Sequence, residues 1–452
     1  MKNVAEVDAR GLCLECGTCV GLCPRGNIRQ EQDASFRYRI RIVDPGLCES
    51  CSGVCLQVCP GHAVDVDALN QQVFGRIPRT LIVRPGRMPG RVERDWIVED
   101  YLAGNCRYAS IGYATDAAVR ERASSGGIVS ALLIHALESR LIDGVFLVCN
   151  VPGKPFSPSF DLVTDRDGVL AAAGSKYWPA PVGRCLGDVL RGPGRYAFVG
   201  TPCQIQALRK AETVYKALKR KLAFRIGLFC GRRATVQGQL FTLRHFGVAL
   251  EDVLEMSYRQ GAWPGHLVIR LRDGERLDVP RAQQLPGFSG HLFPHPRCVL
   301  CHDSIAELAD ISVGDSLRLE GERRENEFSL MVARTEAGEG TLQAAEAAGA
   351  IHLRPVDIGA VVHSQKRPLL DKRRALWARI RLARAIPGLP VPEIRLSRPS
   401  GFDPVPSDYL RGLSLLLIAR LTQHAVFRAF LQRLPWRWLQ RYATFERLPE
   451  IR

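Results

Sequence analysis

The sequence predicts an α/β core built on a mostly parallel or mixed sheet. A small α+β domain precedes it, and a basic helical extension follows. Three observations carry this prediction. Apolar strand-like runs alternate with helix-period segments between about residues 97 and 395, the pattern that lays helices over a sheet. Two dense cysteine runs stand near the N-terminus, and apolar stretches interleaved with arginine fill residues 408–448. With 452 residues, 46% of them hydrophobic, the chain has room for two or three domains and a real core.

The N-terminal domain, residues 1–75, is defined by its cysteines. The first run is Cys13-x2-Cys16-x2-Cys19-x3-Cys23-Pro24, and the second is Cys48-x2-Cys51-x3-Cys55-x3-Cys59-Pro60. A zinc ribbon needs two cysteine pairs and has no use for a third cysteine or a Cys-Pro ending. Soft thiolates crowded in this way suit a cuboidal iron–sulfur cluster, and the pattern is that of a two-cluster ferredoxin domain. In such domains the fourth cysteine of each run ligates the other cluster. By that rule Cys13, Cys16, Cys19 and Cys59 hold one 4Fe-4S cluster, and Cys48, Cys51, Cys55 and Cys23 hold the second. The second run has one extra residue between Cys51 and Cys55, which makes Cys55 the least regular ligand. "VDPGLC" and "CPGHAVDVD" read as short strands bracketing the second loop.

The start, "MKNVAEVDARGLC", has neither an apolar signal core nor a transit-peptide pattern. No apolar run reaches the ~18 residues that would span a bilayer. The expectation is a cytoplasmic protein, in which fifteen cysteines serve as metal ligands or reactive thiols rather than disulfides.

Residues 76–96, "RIPRTLIVRPGRMPGRVERDW", are rich in Arg, Pro and Gly and read as an extended linker. In the body that follows, "DGVFLVCN", "RYAFVGTPC", "LAFRIGLFCG" and "ADISVGDS" read as strands. "IVSALLIHALES" and "QIQALRKAE" read as helices. In a parallel sheet, ligands gather beyond the carboxyl ends of the strands. Cys203 and Cys230 follow two of these strands, and Cys298 and Cys301 form a CxxC in "PHPRCVLCHD". Parallel strands would bring the first two to one edge, and a loop folded over it would complete four thiolates, enough for a third 4Fe-4S cluster. The alternative is two buried cysteines and a lone CxxC. Cys106, Cys149 and Cys185 lack such a pattern and read as structural, and His62, His135, His266 and His302 read as ordinary polar residues. Ser124, Ser125, Gly126 and Gly127 precede a helix, where small residues let backbone N–H groups approach an anion; a simple capping turn is the other reading. Neither GxGxxG nor a Walker motif occurs, so a Rossmann nicotinamide site has no support.

Taken together, these stretches resemble the coenzyme F420 hydrogenase/dehydrogenase beta subunit family. The resemblance runs from about residue 10 to about residue 390. It rests on "CGTCVGLCP", "ASSGGIVSALLIHALESRLIDGV", "GSKYWPAPVGRCL", "YAFVGTPCQIQALRK", "IGLFCG", "WPG" at 263–265, and "RCVLCHDSIAELADISVGDS". It implies an FAD-binding core with a cluster near the flavin, and it favours the four-cysteine reading. It also makes Ser124, Ser125, Gly126, Gly127, Ser175, Lys176, Tyr177 and Thr201 cofactor contacts, with Lys176 neutralising flavin phosphate or steadying an anionic reduced flavin. Family members act on coenzyme F420 or on chlorophyll-type pigments, so the resemblance does not fix the substrate.

The function expected is an iron–sulfur flavoprotein oxidoreductase passing electrons between 4Fe-4S clusters, FAD and an organic two-electron acceptor. The redox partner would be ferredoxin-like or a dehydrogenase subunit. The alternative is an electron-transfer subunit of a larger hydrogenase or formate dehydrogenase, without a substrate of its own. The net charge of +16 comes without any nucleic-acid-binding signature. In "KRPLLDKRRALWARIRLAR", residues 366–384, the residues Leu369, Arg373, Leu376, Trp377 and Ile380 predict a basic amphipathic helix. The extension, residues 396–452, carries Trp436 and Trp438 among arginines. It would dock on the protein's own core, lie on a membrane surface, or meet a partner subunit.

Overall fold

The computed structural model describes residues 1–78, 100–261, 263–288, 290–317, 319, 328–399 and 401–445. Most of the expected linker, residues 79–96, lies outside the described residues. In the N-terminal domain, β1 (Ile28–Gln32) and β2 (Tyr38–Ile42) form an antiparallel hairpin, and β3 (Ala63–Asp65) follows the second cysteine run. "CPGHAVDVD" thus contains a strand as expected. "VDPGLC" instead forms a turn and the single helical turn Gly46–Glu49, because Pro45 takes a helical conformation as its N-cap.

The body contains β4 (Tyr108–Ala114), β5 (Gly144–Cys149), β6 (Ser159–Val163), β7 (Tyr196–Gly200) and β8 (Leu222–Leu228). Next come β9 (Val253–Gln260), β10 (His266–Leu271), β11 (Arg276–Pro280), β12 (Ile311–Asp315), β13 (Ser329–Ala333) and β14 (Ile351–Val356). Eight of them make one sheet in the order β14-β4-β13-β12-β8-β7-β5-β6. Its middle, β12-β8-β7-β5, is parallel and consists of the four strands read from the sequence. β13 is antiparallel to β12 and β4 is antiparallel to β13, so β4 runs with the parallel four. β6 and β14 add antiparallel edges, and the sheet is mixed. The helix Ile128–Glu138 buries Ile128, Leu132 and Leu133 in the core over this sheet. β9, β10 and β11 form a separate antiparallel sheet.

A buried ion network pins the helix Pro202–Val214 to the sheet. Arg209 bonds Glu212 at 3.0 Å and Asp310 at 2.9 Å, while Arg225 bonds the same two carboxylates at 2.5 and 3.3 Å. All four side chains are buried, and the charges balance two against two. Asp310 also accepts the Arg225 backbone N–H and the Thr335 hydroxyl. Removing one member of such a network leaves a buried charge uncompensated. Asp310→Ala should therefore cost about 3–5 kcal/mol and lower the melting temperature. A melting temperature equal to that of the parent chain would show the network to be dispensable.

The N-terminal domain and the body do not have separate cores, contrary to the expectation that a linker keeps them apart. Leu22, Val54, Val58, Val64, Val66 and Leu69 pack in one cluster with Val182, Leu186, Tyr196, Phe198, Ile205 and Leu208 of the body. Backbones meet at Gly183, whose N–H donates to the Cys16 carbonyl at 2.8 Å. A Cβ at Gly183 would lie 2.3 Å from Thr18 Oγ1, so only glycine fits this approach.

The C-terminal part docks on the protein itself. β15 (Glu393–Arg395) pairs in parallel with β3 of the N-terminal domain. The helix Pro406–Leu421 packs on Ala375–Ala385 through Leu415, Leu416, Leu376 and Ile380. Trp436 stacks on His245 with centroids 3.7 Å apart. The basic helix expected over 366–384 is two helices, Ile358–Arg373 and Ala375–Ala385. Its basic residues are only partly solvated: Lys366, Arg381 and Arg384 are exposed, but Arg373 is buried against Glu307 at 2.6 Å and Arg379 against Asp371 at 2.7 Å. Those carboxylates neutralise the arginines and make their burial tolerable.

Candidate functional site

The N-terminal cysteines gather in two groups. Cys13, Cys16, Cys19 and Cys59 line one cavity together with Gly17 and Gln30. Burial first of all, then mutual repulsion, pushes the Cys13 and Cys19 thiols well up, and burial raises Cys59 to about 11. Such thiols stay protonated unless a cation sits among them, which is the condition of a metal site. The Glu15 N–H donates to Cys13 Sγ at 3.3 Å, the kind of backbone donor that stabilises a cluster thiolate. In the second group, burial raises Cys55, and Cys51 and Cys23 lie near it. Asn27 joins two further members: its N–H donates to Cys23 Sγ at 3.3 Å and its Nδ2 to Cys48 Sγ at 3.4 Å. Among the described residues no three Cys, His, Asp or Glu side chains close on a single metal ion. A cubane distributes four thiolates around its corners instead, and the two groupings fit that demand.

Four of the body's seven cysteines also lie near one another. Cys203 opens the helix after β7, and Cys230 follows β8 at the same sheet edge, its N–H donating to Ser304 O at 2.8 Å. Cys298 sits in the helical turn Pro296–Val299, and Cys301 N–H donates to Cys298 O at 3.3 Å. Cys298 and Cys301 lie near both Cys203 and Cys230. Burial pushes Cys230 up to about 12. Cys298 differs. Burial would raise it too, yet His295, Arg233 and Lys372 outweigh burial and hold it at about 6.

The same cations join the groups. Glu15, between Cys13 and Cys16, accepts from Arg233 at 2.9 Å and from His295 Nε2 at 3.1 Å. Burial opposes its ionisation, but Arg233 and His295 keep its carboxyl near 2. Arg297 is buried beside Cys298 and donates through Nη2 to Pro60 O at 3.4 Å, next to Cys59. Lys210 Nζ donates to Cys59 O at 2.9 Å from the helix Pro202–Val214, which also carries Cys203. Sequence reasoning missed Glu15, Asn27, Arg233, His295, Arg297, Lys210 and Lys372. An acidic residue inside a cysteine loop was the one local hint.

The expected cofactor contacts fall on this edge of the sheet. Ser124 Oγ accepts from Ser175 N–H at 2.9 Å and bonds Ser175 Oγ at 2.8 Å, so "SSGG" and "GSKYW" meet. Ser125 Oγ lies 3.0 Å from Ser329 Oγ at the start of β13. Gly126 O accepts from Ala114 N at the end of β4. Gly127, at φ +79°, begins the eleven-residue helix Ile128–Glu138 without a side-chain cap. Its first-turn N–H groups meet no capping side chain, a cradle that suits a phosphate. Lys176 Nζ donates to the carbonyls of Ala172, Ala173 and Gly174, and burial lowers it to about 8. Tyr177 packs edge-on against Tyr258 at 5.2 Å. Thr201 caps the helix Pro202–Val214 through Gln204, with Oγ1 3.4 Å from Cys203 Sγ. Of the histidines set aside as polar, His302 is buried and accepts from Gln206 Nε2 at 3.0 Å.

Comparison with known proteins places this geometry in a family. The profile of the coenzyme F420 hydrogenase/dehydrogenase beta subunit matches with its N-terminal part over residues 109–186 and with its C-terminal part over 194–358. The coenzyme F420 hydrogenase subunit beta of Methanococcus voltae is 30% identical over 56% of this chain and 86% of its own length. The coenzyme F420-dependent sulfite reductase of Methanocaldococcus jannaschii is 26% identical over 78% of this chain and 49% of its own length. The chloroplastic 7-hydroxymethyl chlorophyll a reductase of Oryza sativa subsp. japonica is 30% identical over 64% of this chain and 60% of its own.

Proposed function

The chain belongs to the coenzyme F420 hydrogenase/dehydrogenase beta subunit family, and from that premise we propose that it is an iron–sulfur flavoprotein oxidoreductase exchanging electrons between 4Fe-4S clusters, FAD and an organic two-electron carrier such as coenzyme F420. One observation carries the reading: Arg297, next to Cys298 in the chain, is buried and donates through Nη2 to the carbonyl of Pro60, the residue after Cys59, at 3.4 Å, so the two thiol groups are adjacent. When bound, clusters supply one-electron transfer, and FAD supplies the conversion between single electrons and hydride.

The residues divide the work. Cys13, Cys16, Cys19 and Cys59 hold one cluster; Cys23, Cys48, Cys51 and Cys55 hold a second; Cys203, Cys230, Cys298 and Cys301 hold the third. Arg297, Arg233 and Lys372 offset negative charge around the third set. Ser124, Ser125, Gly126 and Gly127, with the amides that open the helix Ile128–Glu138, bind a cofactor phosphate, and Ser175 fixes the loop from the other side. Lys176 is tied to its own turn and adds positive charge near that loop. Tyr177 and Thr201 support the flanking backbone.

A second reading, an electron-transfer subunit without its own substrate, is favoured by a relative that is itself a hydrogenase subunit. Anaerobic purification followed by reconstitution with iron, sulfide and FAD separates the two. The isolated chain should exchange electrons with one of a deazaflavin, a pyridine nucleotide or ferredoxin. Copurification with a large metal-containing subunit, and inactivity without it, would favour the subunit reading. Iron-free, flavin-free protein after reconstitution would overturn both.

A further inference from the structure

We propose that the outer face of the C-terminal helices is a docking surface for an anionic lipid bilayer. The inference is independent of the redox reading. The helix Pro406–Leu421 packs on the body through Leu415, Leu416 and Ala419, while Leu410, Leu413, Leu417 and Leu421 are exposed. Their spacing of three, four and four residues puts these leucines on one stripe of the helix. Leu410 is 72% exposed, far beyond what intramolecular packing requires. The pattern repeats in the next two helices. Ala425–Gln432 buries Leu431 and exposes Val426 and Phe430; Trp436–Phe445 buries Leu439 and Ala443 and exposes Trp438.

The charge on these helices selects the occupant. Arg420, Arg433, Arg437 and Arg441 are exposed beside the apolar residues. The single carboxylate between residues 406 and 445 is Asp408, and it is buried against Arg374 at 2.8 Å. Exposed leucine and tryptophan side chains among arginines, with no exposed carboxylate, match the acyl–headgroup boundary of an anionic leaflet. None of the described helices is long and apolar enough to cross a membrane, so contact would be in the plane of the interface.

The test uses the full chain and vesicles of phosphatidylcholine containing about one third phosphatidylglycerol. The chain should float with these vesicles at low salt, bind pure phosphatidylcholine vesicles weakly, and be released at high salt as the charges are screened. Leu410→Glu with Leu417→Glu should lower the partition by roughly a hundredfold at an unchanged melting temperature, because both side chains already face solvent. Absence of flotation at low salt, or flotation that survives the double substitution, would overturn the proposal. So would self-association of the parent chain that the same double substitution abolishes, because the stripe would then be a protein interface.

Discussion

Anaerobically reconstituted Cys298→Ser protein should hold about eight iron atoms per chain where the parent holds about twelve. Cys298 is the thiol around which His295, Arg233 and Lys372 concentrate, and those groups hold it near 6 against the upward push of burial. The site is built for a thiolate at that atom. A serine hydroxyl is hard and weakly acidic; it neither ligates iron as a thiolate does nor balances the buried cations. The fold should survive, because the backbone contact that Lys372 Nζ makes to Cys298 O at 3.2 Å does not involve the sulfur. The other eight cysteine ligands belong to groups that Cys298 does not enter. Iron content and low-temperature electron paramagnetic resonance of the reduced protein read the outcome. Cys149→Ser, a change outside all three groups, should leave iron unchanged. Parent-level iron in Cys298→Ser would mean that Cys298 is structural and that the third cluster does not form on these four residues.

What could be read from the sequence was what is local. Ligand spacing within Cys13–Cys23 and Cys48–Cys59 is local chemistry, and the four parallel strands announce themselves as apolar runs. β4 and β14, which pair antiparallel with their neighbours, do not. β4, "YASIGYA", mixes small and polar residues, and its partners lie more than 200 positions away. The charged bridge between the thiol groups is equally non-local, since Glu15 is separated from Arg233 by 218 residues and from His295 by 280. The burial of Arg373 and Arg379 has no sequence signal for a related reason. Basic residues on a helix look solvated until a carboxylate such as Glu307 is brought to them by the fold, and a charge so paired can be buried. Docking on the protein's own core was one of three readings of the tail, and contacts such as the stacking of Trp436 on His245 are tertiary, with no local sequence signal.

A chain beginning at residue 76 should fail to fold as a soluble monomer. Cysteine spacing and a Pro/Gly-rich linker argue for a detachable electron-transfer domain whose loss would leave the body intact; the shared core argues against it. Removing residues 1–75 uncovers the body side of the cluster formed by Val182, Leu186, Tyr196, Phe198, Ile205 and Leu208. At about 2 kcal/mol for each large apolar side chain fully returned to water, the loss is at most about 12 kcal/mol. That is comparable to the whole net stability of an ordinary domain, about 5–15 kcal/mol. Buried groups on the body side would lose partners as well. Arg233 and His295 would be left without Glu15, Lys210 without the carbonyl of Cys59, and β15 without β3. An unpaired buried cation costs several kcal/mol more, and a newly exposed apolar face promotes association. The expected result is insoluble or aggregated protein with little bound iron, while the full chain purified in parallel is monodisperse. Size-exclusion chromatography and thermal melting decide it. A soluble, cooperatively melting chain that retains about four iron atoms would show that the body folds alone and that the shared cluster is a docking contact rather than a common core.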